Sequence, residues 1–400
     1  MPMVASVWRN TKIDIGAAGL VSLFNVVFNQ FFIVFALQQG ASHLQVGLLT
    51  AANPIGLLLS PMWSSLIEKA NNPKPFVVIP NLIGRSLLIF PALFPYPSVY
   101  LAMAFIIQLL VGIQAPAYAQ LISRIYPASL RGRLMGYVRA PMGLLMIGLA
   151  YLVGKWSNAY GPSGALIAAA IAGVASILLF NRLRVPKVED LPSKKAPALR
   201  FSLRDQWQLV KHNKVLAVFL VATMFSGFGN MLANPLYQIV QVDVLRMSNM
   251  EIGYARAAYF TGLLLTYLIG GRMIDRFDIK YTLLVGIAAY AVVPGLYGFW
   301  GSHSSVVIGN FVQGMGEAIW DIGILAFIFR LAPGREASLF GLHLLLFGIR
   351  GTIGPLLSSS LSGTVPISAI LIAAALCSSV GTVMFWLGNR KREALADGVV

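Results

Sequence analysis

A single cysteine, Cys377, excludes an intramolecular disulfide and any thiolate metal cluster, and its place inside an apolar segment makes it a packing residue. Histidine is almost as scarce: His43, His212, His303 and His343 are scattered without metal-ligand spacing, so solvation or packing accounts for each. Charge is the third shortage. Only 11% of the 400 residues are charged while 57% are hydrophobic, too few charges to cover a soluble globule of this length. The chain therefore reads as a membrane protein. No G-x-x-x-x-G-K-[ST] loop is present, and no G-x-G-x-x-G follows a strand, so no bound nucleotide drives it. Neither is a nucleophile recognisable beside a base at one membrane depth, so the protein is not read as an enzyme, and no cofactor or metal is expected. The net charge of +16 does not imply nucleic acid as a partner, because the basic residues fall in short clusters between apolar segments.

What the sequence has in abundance is span-length apolar runs. They lie near residues 15–39, 44–67, 76–95, 98–122, 133–155 and 163–182, and after a polar linker near 215–241, 249–273, 280–300, 304–330, 337–362 and 366–388. The first run exceeds the roughly 7–15 residues of a cleavable signal and is expected to be retained. Both termini and the even-numbered connections hold 24 of the 30 lysines and arginines; the opposite side holds only Lys155 and Arg246, and four arginines lie within spans. By the positive-inside rule both termini are cytoplasmic. Trp63, Trp156, Trp300 and Trp386 fall at span ends, where an indole buries its ring and hydrates its N–H. The expected organisation is a six-helix bundle at 1–183, a linker at 184–214, a second six-helix bundle at 215–389 and a tail at 390–400. Within the linker, Ser202 and Asp205 form an N-cap pair, and Leu203, Trp207 and Val210 share the apolar face of an amphipathic helix.

The halves repeat. SHLQVG at 42–47 matches SNMEIG at 248–253 at an offset of 206, which also puts GLLL at 56–59 on GLLL at 262–265 and RIYP at 124–127 on RLAP at 330–333. At 205, Asn25 and Asn29 fall on Asn230 and Asn234, Gln108 on Gln313 and Gly136 on Gly341. Six spans per copy is an even number, so both copies enter from the same side as a parallel repeat.

At the inner end of the eighth span stands GRMIDRFDIK, residues 271–280. It resembles the loop signature of the major facilitator superfamily, G-x-x-x-D-R-x-G-R-K, with Asp278 and Ile279 replacing the second glycine and its basic neighbour. The equivalent first-half loop keeps only Glu68 and Lys69. The resemblance implies an all-α integral membrane fold of twelve transmembrane helices in two bundles related by a pseudo-two-fold axis. It also implies a cytoplasmic gate of Gly271, Asp275 and Arg276, for which Arg131 or Arg133 is the expected partner. GYVRAPMG at 136–143 is similar to the family's antiporter motif, with Ala140 in place of a glycine.

Polar residues inside spans need water or one another, since a charge in hydrocarbon costs at least about 2.5–3.5 kcal/mol. The tenth span carries Gln313, Glu317 and Asp321 at four-residue spacing, with Trp320 on nearly the same face. Asn230, Asn234 and Gln238 repeat that spacing in the seventh span, where Pro235 frees a carbonyl; Asn25 and Asn29 lie in the first, Gln108 and Tyr118 in the fourth. The resemblance implies that these four spans line a central substrate cavity. Amide bonding between helices is the plainer reading of any one of them. Arg85, Arg139, Arg256 and Arg350 complete the intramembrane charges; Arg350 is expected to pair with Glu317 and Asp321, while Arg139 and Arg256 reach toward the span ends. Four cations against two carboxylates favour an anionic solute, and carboxylates four residues apart repel when both are ionised, which makes one of them a proton carrier.

The expected protein is a secondary transporter of a small organic solute, anionic or amphiphilic and coupled to protons or another ion, monomeric, in a bacterial inner membrane. A proton-driven exporter of hydrophobic drugs is a second reading, and a non-pumping relative of the fold, a lipid scramblase or sensor, a third. The topology is open to test in a Cys377→Ser background, where an impermeant maleimide should label Ser302→Cys from outside only and Lys391→Cys from inside only.

Overall fold

The computed structural model describes residues 2–69, 72–127, 130–185, 210–211, 214–276, 278–331 and 336–396, and among these there is helix but no strand. Twelve helical rods account for them. The rod α1 runs through Pro2–Val26, a π-helical turn Val27–Phe31, and Phe32–Gln38; α2 comprises His43–Leu58 and Ser60–Lys69; α3 comprises Lys74–Ser86 and Ile89–Leu93. Then come α4 (Pro97–Ile125), α5 (Arg131–Tyr160) and α6 (Pro162–Phe180). The second half opens with α7, Lys214–Ile239 continued by a π turn Val240–Val244, followed by α8 (Asn249–Arg276) and by α9, Ile279–Gly295 with a π turn Leu296–Trp300. It closes with α10 (His303–Leu331), α11 (Glu336–Leu361) and α12 (Ile367–Ala396). Ten of the rods are long and apolar enough to cross a membrane. That count is of the described residues; α2 is split at Leu59, and part of α10 lies outside them.

Two compact units emerge: Met1–Ala196 together with Met247–Ala257, and Pro197–Arg246 together with Ala258–Val400. In the first, Leu121, Ile125, Tyr126, Leu134, Ile177 and Phe180 form a buried cluster. In the second, Phe219, Leu283, Ile287, Ile324, Phe327 and Phe385 do the same, with Phe219, Phe327 and Phe385 in mutual ring contact. The amphipathic linker helix expected around Trp207 lies outside the described residues, apart from Val210 and Lys211.

The internal repeat has structural content. Its strongest match is a helix start: Ser42 and Gln45 form a capping box, Ser42 N–H donating to Gln45 Oε1 at 2.9 Å and Gln45 N–H to Ser42 Oγ at 3.3 Å. Ser248 and Glu251 reproduce it at 2.8 and 3.2 Å. Each box satisfies N–H groups that the first turn of a helix leaves unpaired. Just before each box the backbone turns left-handed, at Gly40 with φ +89° and, 206 residues on, at Arg246 with φ +49°. Glycine adopts that conformation freely, whereas any side chain meets the following carbonyl.

Close helix approach also recurs. A Cβ on Gly56 would strike the Gln108 carbonyl, and one on Gly112 the Gly56 carbonyl, so α2 and α4 touch backbone to backbone. In the second unit a Cβ on Gly262 would strike the Phe311 carbonyl and one on Gly314 the Tyr259 carbonyl, so α8 and α10 do likewise. With no hydrophobic force between helices in lipid, such small-residue contacts supply packing.

One expectation needs correction. The first helix begins at Pro2 rather than near residue 15, which draws Asp14 into it. Asn25 is half-buried in α1, and Asn29 lies exposed in its π turn.

Relieving the strained turn should stabilise the protein: Arg246→Gly is expected to add about 1 kcal/mol. Gly112→Val should remove about 1–3 kcal/mol by forcing α2 from α4. Melting temperatures in one detergent check both.

Candidate functional site

The backbone contact between α8 and α10 decides what their side chains can reach. Tyr259, whose carbonyl meets Gly314, donates its hydroxyl to Glu317, three residues further along α10. Two turns on, Tyr267 donates to Asp321 at 2.6 Å. Gln313 adds a third donor, its Nε2 lying 3.3 Å from Glu317 Oε1. Each carboxylate thus has its own tyrosine, and the two differ in access: Tyr259 is 8% exposed and Glu317 half-buried, whereas Asp321 is exposed. Beside them Trp320 packs between Tyr290 and His343, at ring separations of 6.1 and 5.5 Å. Tyr237 of α7 and Tyr290 of α9 stand within electrostatic reach of Glu317.

The first unit holds a neutral version of this crossing. Asn53 of α2 donates to Gln108 of α4 at 2.9 Å. Asn53 and Tyr259 are equivalent at the offset of 206, as are Gln108 and Gln313 at 205. Neither Asn53 nor Tyr259 was singled out by the polar-spacing rule, but the repeat offset applied to Gln108's helix pair would have found both.

Among the remaining expected residues, Gln313, Glu317, Trp320 and Asp321 come together on α10. Asn230, Asn234 and Gln238 are half-buried along α7. Tyr118 packs 6.2 Å from the Phe180 ring beside the apolar cluster of the first unit. At the expected gate, Arg131 donates to the carbonyls of Ser123 and Tyr126, at 3.1 and 3.4 Å, and Arg133 to the Tyr137 hydroxyl at 2.7 Å. Gly271, Asp275 and Arg276 lie at the C-terminal end of α8, and the side chains of Asp275 and Arg276 are outside what the structure describes.

The arginines differ most from expectation. Arg350 does not pair with Glu317 or Asp321; it is 4% exposed and donates to the carbonyl of Thr223 on α7, over the ring of Phe347. A Cβ on Gly227 would overlap its guanidinium, so that glycine is the notch that receives it. Arg85 is held in the same manner, donating to the Gly173 carbonyl at 3.0 Å and Ser176 Oγ at 3.1 Å, beside the Phe24 ring. Arg256, expected to reach toward the membrane edge, is 3% exposed. Arg139 is exposed on α5. The count of carboxylates also changes, because Asp14, 3% exposed, accepts a hydrogen bond from Tyr126 at 2.8 Å inside the first unit. A backbone carbonyl is a neutral acceptor that leaves the guanidinium charge in place, so Arg85 and Arg350 are held by main chain and not by the acids.

A model of the Major Facilitator Superfamily matches residues 15–226 and again 219–398. The chain belongs to that superfamily. This superfamily chain is 25% identical over 350 residues to YuxJ, an uncharacterised MFS-type transporter of Bacillus subtilis, with 85% of this chain and 86% of the relative aligned. Over 133 residues it is 28% identical to the tetracenomycin C resistance and export protein of Streptomyces glaucescens, covering 32% of this chain and 24% of that one. The crystal structure of the nucleoside transporter NupG superposes with a TM-score of 0.73 at 15% identity, over 95% of this chain and 98% of that one, a likeness of fold. It is thus a multi-pass membrane protein of a transporter family, with the two-bundle, all-helical architecture of that superfamily.

If Arg350 is a strut, Gly227→Leu should mimic Arg350→Ala, each lowering the melting temperature by an amount equivalent to about 2–4 kcal/mol. Arg350→Lys should recover part of the loss, because a lysine ammonium can still donate to the Thr223 carbonyl.

Proposed function

We propose that the protein is a proton-coupled secondary transporter that exports a hydrophobic or amphiphilic organic compound by alternating access in the cytoplasmic membrane, with both termini inside. The observation that carries this reading is the pair of tyrosine-held carboxylates on α10, Tyr259 with Glu317 and Tyr267 with Asp321. A carboxylate that accepts from a tyrosine hydroxyl at membrane depth has a neutral donor beside it whether or not it is charged, which suits a group that gains and loses a proton. Trp320, Tyr290 and the exposed Asp321 offer aromatic surface beside a negative charge, suited to an apolar or cationic ring system. The anionic solute favoured by charge counting loses its main support with Arg350 bound to a carbonyl. Export is favoured by the GYVRAPMG segment and by the relative named for tetracenomycin C resistance and export. An anionic cargo would instead depend on Arg139, the arginine left exposed on α5.

Proteoliposomes given an imposed pH gradient test the proposal against a panel of fluorescent amphiphiles and organic anions. Wild type should concentrate an amphiphile, a protonophore should collapse the accumulation, and Glu317→Gln should lower the concentrative rate by about 100-fold or more while leaving the protein folded. Protonophore-insensitive equilibration, or full activity in both Glu317→Gln and Asp321→Asn, would end the coupled-transport reading, and dependence on Arg139 rather than Asp321 would move the cargo to the anionic class.

A further inference from the structure

Glu317 and Asp321 sit four residues apart on one helix, yet their surroundings divide them. Glu317 is half-buried beneath Tyr259, receives a second donor from Gln313, and has Tyr237 and Tyr290 within electrostatic reach. Asp321, one turn nearer the C-terminal end of α10, is exposed and bonded to Tyr267. Among the described residues, α7 presents Tyr237, α8 presents Tyr259 and Tyr267, α9 presents Tyr290, and α11 presents His343 and Arg350, the latter turned to the Thr223 carbonyl. An exposed carboxylate at membrane depth must face water, whereas one roofed by a tyrosine that is 8% exposed exchanges with water slowly.

On the strength of the proton-coupled reading above, we propose that the two carboxylates are successive stations, Asp321 taking the proton from water and Glu317 storing it, with Tyr259 the positioning residue of the store and Tyr267 that of the port. The step is a simple proton transfer. An O–H bond forms on Asp321 as hydronium becomes water; that bond then breaks as one forms on Glu317, and Asp321 returns to its carboxylate. The distance to cross is one turn of helix, a rise of about 6 Å.

The duplicated architecture supports a division built for this purpose. At the equivalent crossing of the first unit, Asn53 stands for Tyr259, while Gly112 and Pro116 stand for Glu317 and Asp321 at the offset of 205. The backbone contact of the two helices is kept in both copies, Gly56 on Gln108 and Gly314 on Tyr259, but only one copy carries acids. Stability of the crossing therefore does not require the carboxylates, since an amide pair at 2.9 Å does that work in the first unit.

The experiment uses full-length protein in detergent and needs no substrate: time-resolved infrared spectroscopy after a pH jump, following the carbonyl stretch of protonated carboxyl groups. Glu317→Gln and Asp321→Asn each delete one band and so assign the two. In wild type the Asp321 band should rise first. Asp321→Asn should slow protonation of Glu317 by at least about tenfold without changing its final extent, and Asp321→Glu should restore the rate. Tyr259→Phe should move the carbonyl band of Glu317 and leave that of Asp321 in place, because it removes one hydrogen bond; Tyr267→Phe should do the reverse. Melting temperatures of all five variants within the wild-type range exclude misfolding as the cause, and the tyrosine variants, which keep both acids, carry the test if the acid variants fail to fold. Unchanged Glu317 kinetics in Asp321→Asn, or equal displacement of both bands by either tyrosine variant, overturns the proposal. That result is separable from failure of the transport reading, since sequential protonation without concentrative transport leaves the stations standing, and coupled transport with independent bands removes only the stations.

Discussion

Within hydrocarbon a polar group keeps the partners that the protein supplies, and everything distinctive about this molecule follows from which partner each buried charge receives. Arg85 and Arg350 are given backbone carbonyls in notches opened by Gly173 and Gly227. Asp14, Glu317 and Asp321 are given tyrosine hydroxyls. Had the cations been matched to the acids, the interior would be locked by ion pairs whose separation leaves uncompensated charge, at several kcal/mol. Arg85 and Arg350 are thereby fixed struts, and the three acids keep a tyrosine donor beside them.

Much of this was legible in the residues. Hydropathy and the bias of lysine and arginine outline the spans, and the repeat at 205–206 residues is real at atomic level: the SHLQVG and SNMEIG segments are matching capping boxes, preceded by matching left-handed turns at Gly40 and Arg246. The tenth-span stripe was read from spacing alone, and it is where the titratable groups gather.

What could not be read has physical causes. Spacing arithmetic assumes 3.6 residues per turn, and nothing in it announces the π turns that interrupt or end α1, α7 and α9. Depth alone suggested that Arg350 meets Glu317, because similar depth on consecutive helices says nothing of azimuth; the notch at Gly227 draws the guanidinium to α7 instead. Tyr259 and Tyr267 look like ordinary aromatic residues of an apolar helix until a partner is known. Asp14 escapes a hydropathy reading because the apolar run begins at residue 15, while the helix extends back to Pro2.

The glycine contacts carry a mechanical consequence. Where Gly56 lies on Gln108 and Gly314 on Tyr259, main chain bears directly on main chain, with no flexible side chain between to compress or rotate. Each helix pair, α2 with α4 and α8 with α10, is thereby a stiff plank within its unit. Bending must then be absorbed elsewhere, at interruptions such as Leu59 and the Leu87–Leu88 turn or in the π turns of α1, α7 and α9, and the tyrosine-bound acids ride on their plank without being sheared apart.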